Sequence, residues 1–479
     1  MKKNNALQLV EQKIGKTYQD LRFLLVALQE VLNENNELTI AKSIPWINDL
    51  DLSHEKITPK LVQLYSLVFQ LINMVEINNA VQNRRAVEEK DMTGVNGLWA
   101  RNIKDLLDQG VKPEEIVNIL HEIAIEPVLT AHPTEAKRAT VLEHHRELYL
   151  LLVQRENTMF TSAEKENIRQ NIKLTLYRLW KTGEIYLEKP DVASELRNIM
   201  HYLVNVFPEV IPIVDRRLEQ AAEELGIGKN NIKENYAYPA ITFGDWVGGD
   251  RDGHPLVTAE ITQDTLLQLR LNAFVVIRRK LTQLVQRLSF SYDMQDASAE
   301  FQSRVSEMVE ELNQRGRLAL ARNNDEAFRQ LINLMITKLP VDTERGHATK
   351  LAEHPGSYVH SEQLINDLKL LQKELLSYGS WSIANNDVIV VRRIVETFGF
   401  HLASLDIRQN SAFHDKAVSQ LLEAANIKDH DFASWNEKKR VTFLLNELQS
   451  ARPFVHPKTA LKNEARAVME CYRAIESHA

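Results

Sequence analysis

The chain has 479 residues, of which 44% are hydrophobic and 26% charged, and its formal net charge is −7. This composition is typical of a globular protein with a large core or several domains. The acidic balance argues against nucleic acid as the main partner, but a small anion remains compatible, because a few arginines in a cleft can outweigh the global charge. The single cysteine, Cys471, excludes an internal disulfide framework.

The sequence has neither a signal-like apolar stretch near its start nor an uninterrupted apolar run of about eighteen residues. We therefore expect a cytoplasmic protein with no membrane partner.

Helical periodicity dominates the chain. Thr161 and Glu164 form a T-x-x-E capping box, which predicts the start of a helix. We expect an amino-terminal helical region over 1–90 and a second helical region over 91–479 that carries all the strands. Apolar residues recur at spacings of three and four, which predicts further helices, over 5–33, 60–88, 260–288 and 300–313.

One polar stretch interrupts this pattern. Residues 341–363 contain Gly346, Pro355 and Gly356 as helix breakers. We predict a surface loop there, with a functional flap as the alternative.

Three short segments differ from the helical background. IEPVLTAH (125–132), YPAITFGDW (238–246) and GFHLASLDIR (399–408) are apolar or β-branched runs that end in polar residues. Strands separated by many helical residues are typical of a parallel sheet or barrel, and active residues gather at the carboxyl ends of such strands. The fold class is therefore mainly α with a few parallel strands. Three strands do not close a barrel, so the sheet is open or the barrel is incomplete.

The first strand end carries AHPTEAKR, 131–138. His132 is a candidate general acid or base, because imidazole titrates near neutrality, and Lys137 and Arg138 are candidate anion contacts. The alternative is a plain turn in which Pro133 restricts His132 and the basic side chains are solvated.

The second strand end carries GDWVGGDRDGHP, 244–255. Its glycines could admit an anion to backbone amides, and Arg251 offers a planar fork for a carboxylate or phosphate. A phosphate-binding P-loop is excluded because Asp250-Arg251 stands where Lys-Ser/Thr is required, and a calcium loop is excluded by Ile261 at its twelfth position. A turn-rich linker is the alternative.

The third strand end carries HLASLDIRQNSAFH, 401–414, where apolar alternation stops at Asp406 and Arg408 follows. A surface ion pair is the alternative to a functional role. Taken separately, the three clusters indicate an enzyme that handles anions, and they leave the reaction undefined.

Taken together, the clusters resemble the phosphoenolpyruvate carboxylase family. VLTAHPTEAKRA is similar to that family's T-A-H-P-T-E/Q signature, GDWVGGDRDGHP to its G-x-W-x-G-G-D-R-D-G-N-P segment, and LDIRQNS to L-D-I-R-Q-E-S. Departures at Gly183, Tyr186, His254 and Asn410 indicate a divergent, bacterial-type branch.

The resemblance implies a TIM-type barrel of the phosphoenolpyruvate/pyruvate kind, wrapped by helices and incomplete in this chain. It implies a lyase that forms oxaloacetate and phosphate from phosphoenolpyruvate and bicarbonate, through carboxyphosphate and the enolate of pyruvate, with Mg2+ or Mn2+ and a homotetrameric assembly. The resemblance assigns roles to six residues. His132 and Arg408 would be catalytic, and the substrate-binding residues would be Arg138, Trp246, Arg251 and Asp252.

The family's F-H-G-R-G-G segment does not occur in this sequence. The resemblance places that segment, the metal ligands and the aspartate-inhibitor site in the carboxyl-terminal half of the family's chains. We therefore expect an amino-terminal portion that is inactive alone. A non-catalytic subunit or pseudoenzyme that binds a partner chain is the alternative. A phosphotransfer protein that uses His132 is disfavoured, because Pro133 removes the mid-helix setting of such histidines.

Overall fold

The computed structural model describes residues 14–47, 57–130, 139–182, 191–252, 256–344, 347–451, 453–456 and 458–478. These residues are mainly helical, with a few short parallel strands, as predicted. They form two compact units, one comprising Met1–Asp105 and Pro133–Pro190 and the other comprising Leu106–His132 and Asp191–Ala479. The predicted division near residue 90 stays a prediction.

The first unit is built from helices around one apolar core. Its helices are α1 (Lys16–Glu34), α2 (Leu38–Lys42), α3 (Pro59–Lys90), most of α4 (Trp99–Asp108), α6 (Ala139–Arg155) and α7 (Ser162–Lys181). The core gathers leucines of α1 and α3, with Ile172, Leu176 and Trp180 of α7. Leu24, Leu28, Leu64 and Leu71 are fully buried there, so the helix predicted over 60–88 is confirmed, and the one predicted over 5–33 is confirmed from Lys16 onward. Residues 5–13 of that prediction lie outside the described residues.

Helix α7 begins at the capping box predicted from the sequence. The Thr161 hydroxyl accepts the Glu164 N–H, and the Glu164 carboxylate accepts the Thr161 N–H. Two amide groups that would otherwise lack partners at the helix start are thereby satisfied.

Helix α3 begins just after Thr58, whose hydroxyl accepts the Leu61 N–H, with Pro59 in the first turn. Among the described residues, α3 is the helix long and apolar enough to cross a membrane, and 44% of the relevant window is buried inside the protein. Its buried leucines belong to the core of the first unit, as expected of a core helix in a globular protein.

The second unit carries the parallel strands and the larger set of helices. The helices are α5 (Pro113–Glu122), α8 (Val192–His201), α9 (Phe207–Glu224), α10 (Lys229–Glu234), α11 (Ala259–Arg287), α12 (Ala299–Leu312), α13 (Gln314–Leu320), α14 (Ala327–Lys338), α15 (Ser361–Ser377), α16 (Trp381–Ile383), α17 (Ile389–Phe398), α18 (Ser411–Ala424), α19 (Glu437–Leu448) and α20 (Asn463–Glu476). Helices α11 and α12 confirm the predictions for 260–288 and 300–313.

The strands of the second unit pair in parallel, as predicted. They are β1 (Ala124–Ile125), β2 (Val128–Leu129), β3 (Ala240–Ile241), β4 (Gly244–Asp245) and β7 (Ser404–Leu405). Strand β1 pairs with β3, and β4 lies between β2 and β7. Each strand is separated along the chain from the strand it pairs with by a long connection that contains helices, which is what parallel pairing requires.

Each predicted strand segment contains strand structure, but the third begins later than expected. Residues 399–403 are not strand, because α17 ends at Phe398 and Gly399 takes a positive φ of 51° in the cap of that helix. A side chain there would be strained, which explains glycine at this position. Strand β7 then begins at Ser404.

The loop predicted over 341–363 is partly wrong. Strands β5 (Val341–Glu344) and β6 (His347–Leu351) pair antiparallel, and α15 begins at Ser361. The sequence favoured a loop because the stretch is polar and contains Gly346, Pro355 and Gly356 as helix breakers.

One face of the parallel strands is covered by helices. Phe243, from the chain just before β4, stacks between Phe207 of α9 and Phe398 of α17, with ring centroids 4.4 and 5.5 Å away. Leu129 and Leu405 pack against the same cluster. This apolar layer fixes which strand residues face the helices and leaves the alternate ones for the other face.

Candidate functional site

The carboxyl ends of β4 and β7 lie side by side. Strand pairing sets Asp245 opposite Leu405, and beyond the strands Asp250 forms a further parallel bridge with Arg408. The polar clusters at the second and third strand ends are therefore brought together. The first cluster, with His132 and Arg138, lies outside the described residues.

Trp246, Asp406 and Arg408 form one contact cluster at this edge. The Trp246 indole N–H donates to a carboxylate oxygen of Asp406 at 2.8 Å. The Arg408 guanidinium carbon lies 3.8 Å from the centroid of the Trp246 ring, and its Nε lies 3.8 Å from Asp406 Oδ2. Because the Arg408 side chain is 48% exposed, its cationic fork is oriented by the ring and remains accessible to an anion.

The glycines after Trp246 allow close packing of the backbone. A Cβ on Gly249 would lie 2.2 Å from the Asp406 carbonyl oxygen, and one on Gly248, where φ is +83°, would lie 2.1 Å from the Thr265 hydroxyl. Any side chain at Gly249 would separate this loop from the end of β7. These two glycines thus allow close contacts within the protein, and those contacts hold Trp246 against Asp406 and Arg408.

Arg251 faces away from Arg408. The bridge between Asp250 and Arg408 puts those two side chains on one face and therefore puts the Arg251 side chain on the other. Its guanidinium donates to the Ala467 carbonyl of α20 at 3.2 Å and to the Thr262 hydroxyl of α11 at 3.3 Å. The residue is only 9% exposed.

Arg251 and Asp252 line a separate cleft of about 890 Å³. The rest of its wall comes from α11, α18 and α20 and from the residues just before these helices, and it includes Glu260, Arg466 and Glu470. Asp252 is exposed, and its N–H donates to the Asp250 carboxylate at 3.0 Å. Of the six residues assigned from the sequence, the structure thus brings Trp246 and Arg408 together and places Arg251 and Asp252 in a separate cleft of mixed charge, while His132 and Arg138 lie outside the described residues.

Asp245 is a buried carboxyl next to this cluster. It has no exposed surface, and its Oδ1 accepts the Val247 N–H at 2.9 Å. Its Oδ2 is buried without a hydrogen-bond partner. Burial raises the pKa of Asp245 to about 7, with a smaller contribution from the Asp406 carboxylate, whereas the Val247 and Trp246 N–H groups act in the opposite direction.

Sequence reasoning left Asp406 and Asp245 out of the proposed site. Asp406 could have been found because it lies two residues before Arg408, so the strand period puts both side chains on one face. Asp245 could have been found as a carboxylate inside an otherwise apolar run. Asn410, noted as a departure, is the cap of α18, where its side chain accepts the Ala412 N–H at 2.9 Å.

Comparison with known proteins gives a consistent result. The family model described as phosphoenolpyruvate carboxylase matches residues 6–479. The phosphoenolpyruvate carboxylase of Methylorubrum extorquens is 32% identical over 409 residues, covering 85% of this chain and 43% of the relative. Phosphoenolpyruvate carboxylase 1 of Chlamydomonas reinhardtii is 30% identical over 438 residues, covering 86% and 44% respectively.

The phosphoenolpyruvate carboxylase of Bradyrhizobium diazoefficiens is 28% identical over 434 residues, covering 90% of this chain and 45% of the relative. The chain therefore spans less than half the length of these curated relatives. The family model nevertheless matches nearly all of it, from the helices of the first unit to the strand-end cluster. The chain belongs to the phosphoenolpyruvate carboxylase family.

Proposed function

We propose that this chain supplies the amino-terminal part of a phosphoenolpyruvate carboxylase. The reaction joins phosphoenolpyruvate and bicarbonate to give oxaloacetate and inorganic phosphate. Bicarbonate takes the phosphoryl group to form carboxyphosphate and the enolate of pyruvate. Carboxyphosphate then releases CO2, and the enolate carbon attacks it.

The observation that carries this proposal is the contact of Arg408 with Trp246 and Asp406. A cation held on an aromatic face, half exposed at the carboxyl end of parallel strands, suits the phosphate of phosphoenolpyruvate. The guanidinium needs little reorganisation to stabilise charge on the transferred phosphoryl group. Trp246 forms an apolar wall beside it. Arg251 and Asp252 would support the substrate side of the site from the neighbouring cleft, and Arg138 would support it as well.

His132 is proposed to handle the proton of the carboxyphosphate step. An imidazole can remove the proton from the carboxyl group of carboxyphosphate and so favour the release of CO2 beside the enolate. In an active enzyme, His132→Asn should lower kcat far more than it raises the KM for phosphoenolpyruvate. A kcat close to that of the parent would contradict this role.

The strands are proposed to be part of a TIM-type barrel. Strand β4 has a neighbour on both sides, whereas β2 and β7 each pair on one side within the described residues. Ile125, Val128 and Ile407 are 46%, 43% and 37% exposed, as expected of residues that further strands would cover. Those further strands would come from the part of the family's chain that this sequence does not include.

Mg2+ or Mn2+ is expected from the family. Among the described residues, no three His, Cys, Asp or Glu side chains are grouped so that they could hold a metal ion. The described residues therefore do not fit the metal, and its ligands would lie elsewhere in the enzyme. We likewise propose a cytoplasmic location and, from membership of the family, a homotetrameric assembly.

The test is a chimera in which this chain replaces the matching region of the Methylorubrum extorquens relative. Bicarbonate-dependent formation of oxaloacetate by the chimera, lost on Arg408→Ala, would support the proposal. Residues 1–479 assayed alone should be inactive. A folded chimera that binds no phosphoenolpyruvate would favour the second candidate, a non-catalytic subunit that binds a partner chain.

A further inference from the structure

We propose that Asp245 is a positioning residue, which holds the Trp246–Asp406–Arg408 cluster in place as a neutral acid and loosens it on ionisation. The importance of that cluster for a substrate rests on the proposed function. The positioning role of Asp245 is independent of the proposed function, because it is inferred from contacts within the chain itself.

Asp245 accepts hydrogen bonds from both strand ends that carry the cluster. Its side-chain Oδ1 accepts the N–H of Val247, the residue directly after Trp246. Its backbone carbonyl accepts the N–H of Asp406 at 2.8 Å. Asp245 thus holds the backbone directly after Trp246. It also holds the backbone of Asp406, whose carboxylate accepts the Trp246 indole N–H.

The surroundings of Asp245 favour the protonated carboxyl. The side chain is completely buried, and its Oδ2 has no hydrogen-bond partner that could stabilise a negative charge. The layer on this side of the strands is apolar, with Phe243, Val247 and Leu269 among its members.

No cation in the described part of the chain compensates a charge on Asp245. Arg393 of α17 is paired with Asp215, and Arg408 lies over the Trp246 ring. The carboxylate of Glu126, before β2, accepts the Thr242 hydroxyl. Among the described charged groups, Asp406 is the one that acts on the Asp245 carboxyl, and it disfavours ionisation.

Ionisation of Asp245 therefore has a defined consequence. A second negative charge appears beside Asp406 in a buried setting, and water must reach it or the strand end must move. Either change disturbs the acceptor of the Trp246 indole N–H. The pKa of Asp245, raised by burial to about 7, places this event near neutral pH.

The experiment follows the indole N–H signal of Trp246 by NMR in the 479-residue chain labelled with 15N-tryptophan. The chain has six tryptophans, so six indole signals are expected, and Trp246→Phe identifies the one needed. Between pH 5 and pH 9 that signal should titrate with a midpoint near 7. Asp245→Asn, which keeps the shape and an acceptor for Val247, should abolish the titration.

Asp406→Asn serves as the matched control, because it retains an acceptor for the indole and leaves Asp245 in place. The Trp246 signal should still titrate in that variant, with a midpoint shifted to lower pH. Should Asp245→Asn not fold, Asp245→Ser replaces it. A Trp246 signal that is constant from pH 5 to pH 9 would overturn the proposal, as would a titration that persists without the Asp245 carboxyl.

The readout needs neither substrate nor activity, so it is separate from the test of the proposed function. If the titration is found and the chimera is inactive, the carboxylase proposal fails and this inference stands. If the chimera is active, Asp245→Asn should also displace the pH profile of kcat/KM for phosphoenolpyruvate. An unchanged profile would contradict the positioning role.

Discussion

Arg408 lies over the indole ring of Trp246, with its guanidinium carbon 3.8 Å from the ring centroid. The same ring donates its N–H to Asp406, whose carboxylate lies 3.8 Å from the Arg408 Nε. The three side chains therefore restrict one another, and the tryptophan contributes both a face and a donor. Changes at each position should have separable effects.

Replacement of Arg408 by lysine should weaken phosphate binding although the charge is kept. Lysine offers a point charge in place of the planar fork and stacks poorly on the indole. In the chimera we expect the KM for phosphoenolpyruvate to rise roughly tenfold with Arg408→Lys and further with Arg408→Ala. Steady-state kinetics at saturating bicarbonate measure this. Arg101→Lys, at an exposed arginine of α4 that pairs with Asp105, is the control and should leave the KM unchanged.

Trp246→Phe should keep an aromatic face and lose the donor to Asp406. The freed carboxylate can then move toward Arg408 and offset part of its charge, so the KM for phosphoenolpyruvate should rise about three- to tenfold. The double variant Trp246→Phe/Asp406→Asn removes the competing charge and should recover most of the loss. A double variant no better than the single one would refute this explanation.

The chain offers a matched control for that experiment. The Trp435 indole N–H donates to the Asp429 carboxylate at 2.9 Å, on a different part of the second unit. Trp435→Phe removes the same type of hydrogen bond without touching the strand ends. In the chimera, the KM of this variant for phosphoenolpyruvate should equal that of the parent, although its stability should fall.

The helices and the location of the strand ends were predictable because they depend on local periodicity. The contact of Arg408 with Trp246 was not, because it needs the register of two strands about 160 residues apart. The partner of Arg251 left no local signal either, since the Ala467 carbonyl lies 216 residues further along the chain. The charge and glycine content of 244–255 predicted an anion site that includes Arg251. The alternation of the backbone instead directs the side chains of Arg251 and Arg408 to opposite faces.

Arg251→Met should chiefly lower stability. The buried guanidinium links the loop after β4 to the Ala467 carbonyl of α20 and to Thr262 of α11. Loss of these hydrogen bonds should cost about 1–2 kcal/mol in the free energy of unfolding, as measured by urea denaturation. Amide exchange in α20 should become faster. A large rise in the KM for phosphoenolpyruvate with unchanged stability would instead favour direct contact with substrate.

Arg393→Met should be more damaging than a change at the surface. Arg393 is buried, donates to both carboxylate oxygens of Asp215 at 2.9 and 3.3 Å, and also donates to the Pro239 carbonyl. Its removal leaves Asp215 buried without its counter-ion, which should cost about 3–5 kcal/mol. Arg466→Met breaks the exposed pair with Glu470 and should cost less than about 1 kcal/mol in the same urea assay. Equal effects would contradict the role of burial.

Asp245→Asn should change how stability depends on pH. The pKa of Asp245 is about 7 in the folded chain and about 4 when unfolded, so between these values the folded state holds a proton that the unfolded state has lost. Its contribution to stability is thus complete below pH 4, falls as the pH rises toward 7, and is constant above. The difference in unfolding free energy between Asp245→Asn and the parent should therefore grow in favour of the variant from pH 4 to pH 7, by up to about 4 kcal/mol. Urea denaturation of both chains at each pH measures it, and the contributions of titrating groups that do not interact with Asp245 cancel in the difference. A difference that does not vary with pH would mean that the Asp245 carboxyl keeps its ordinary pKa despite its burial.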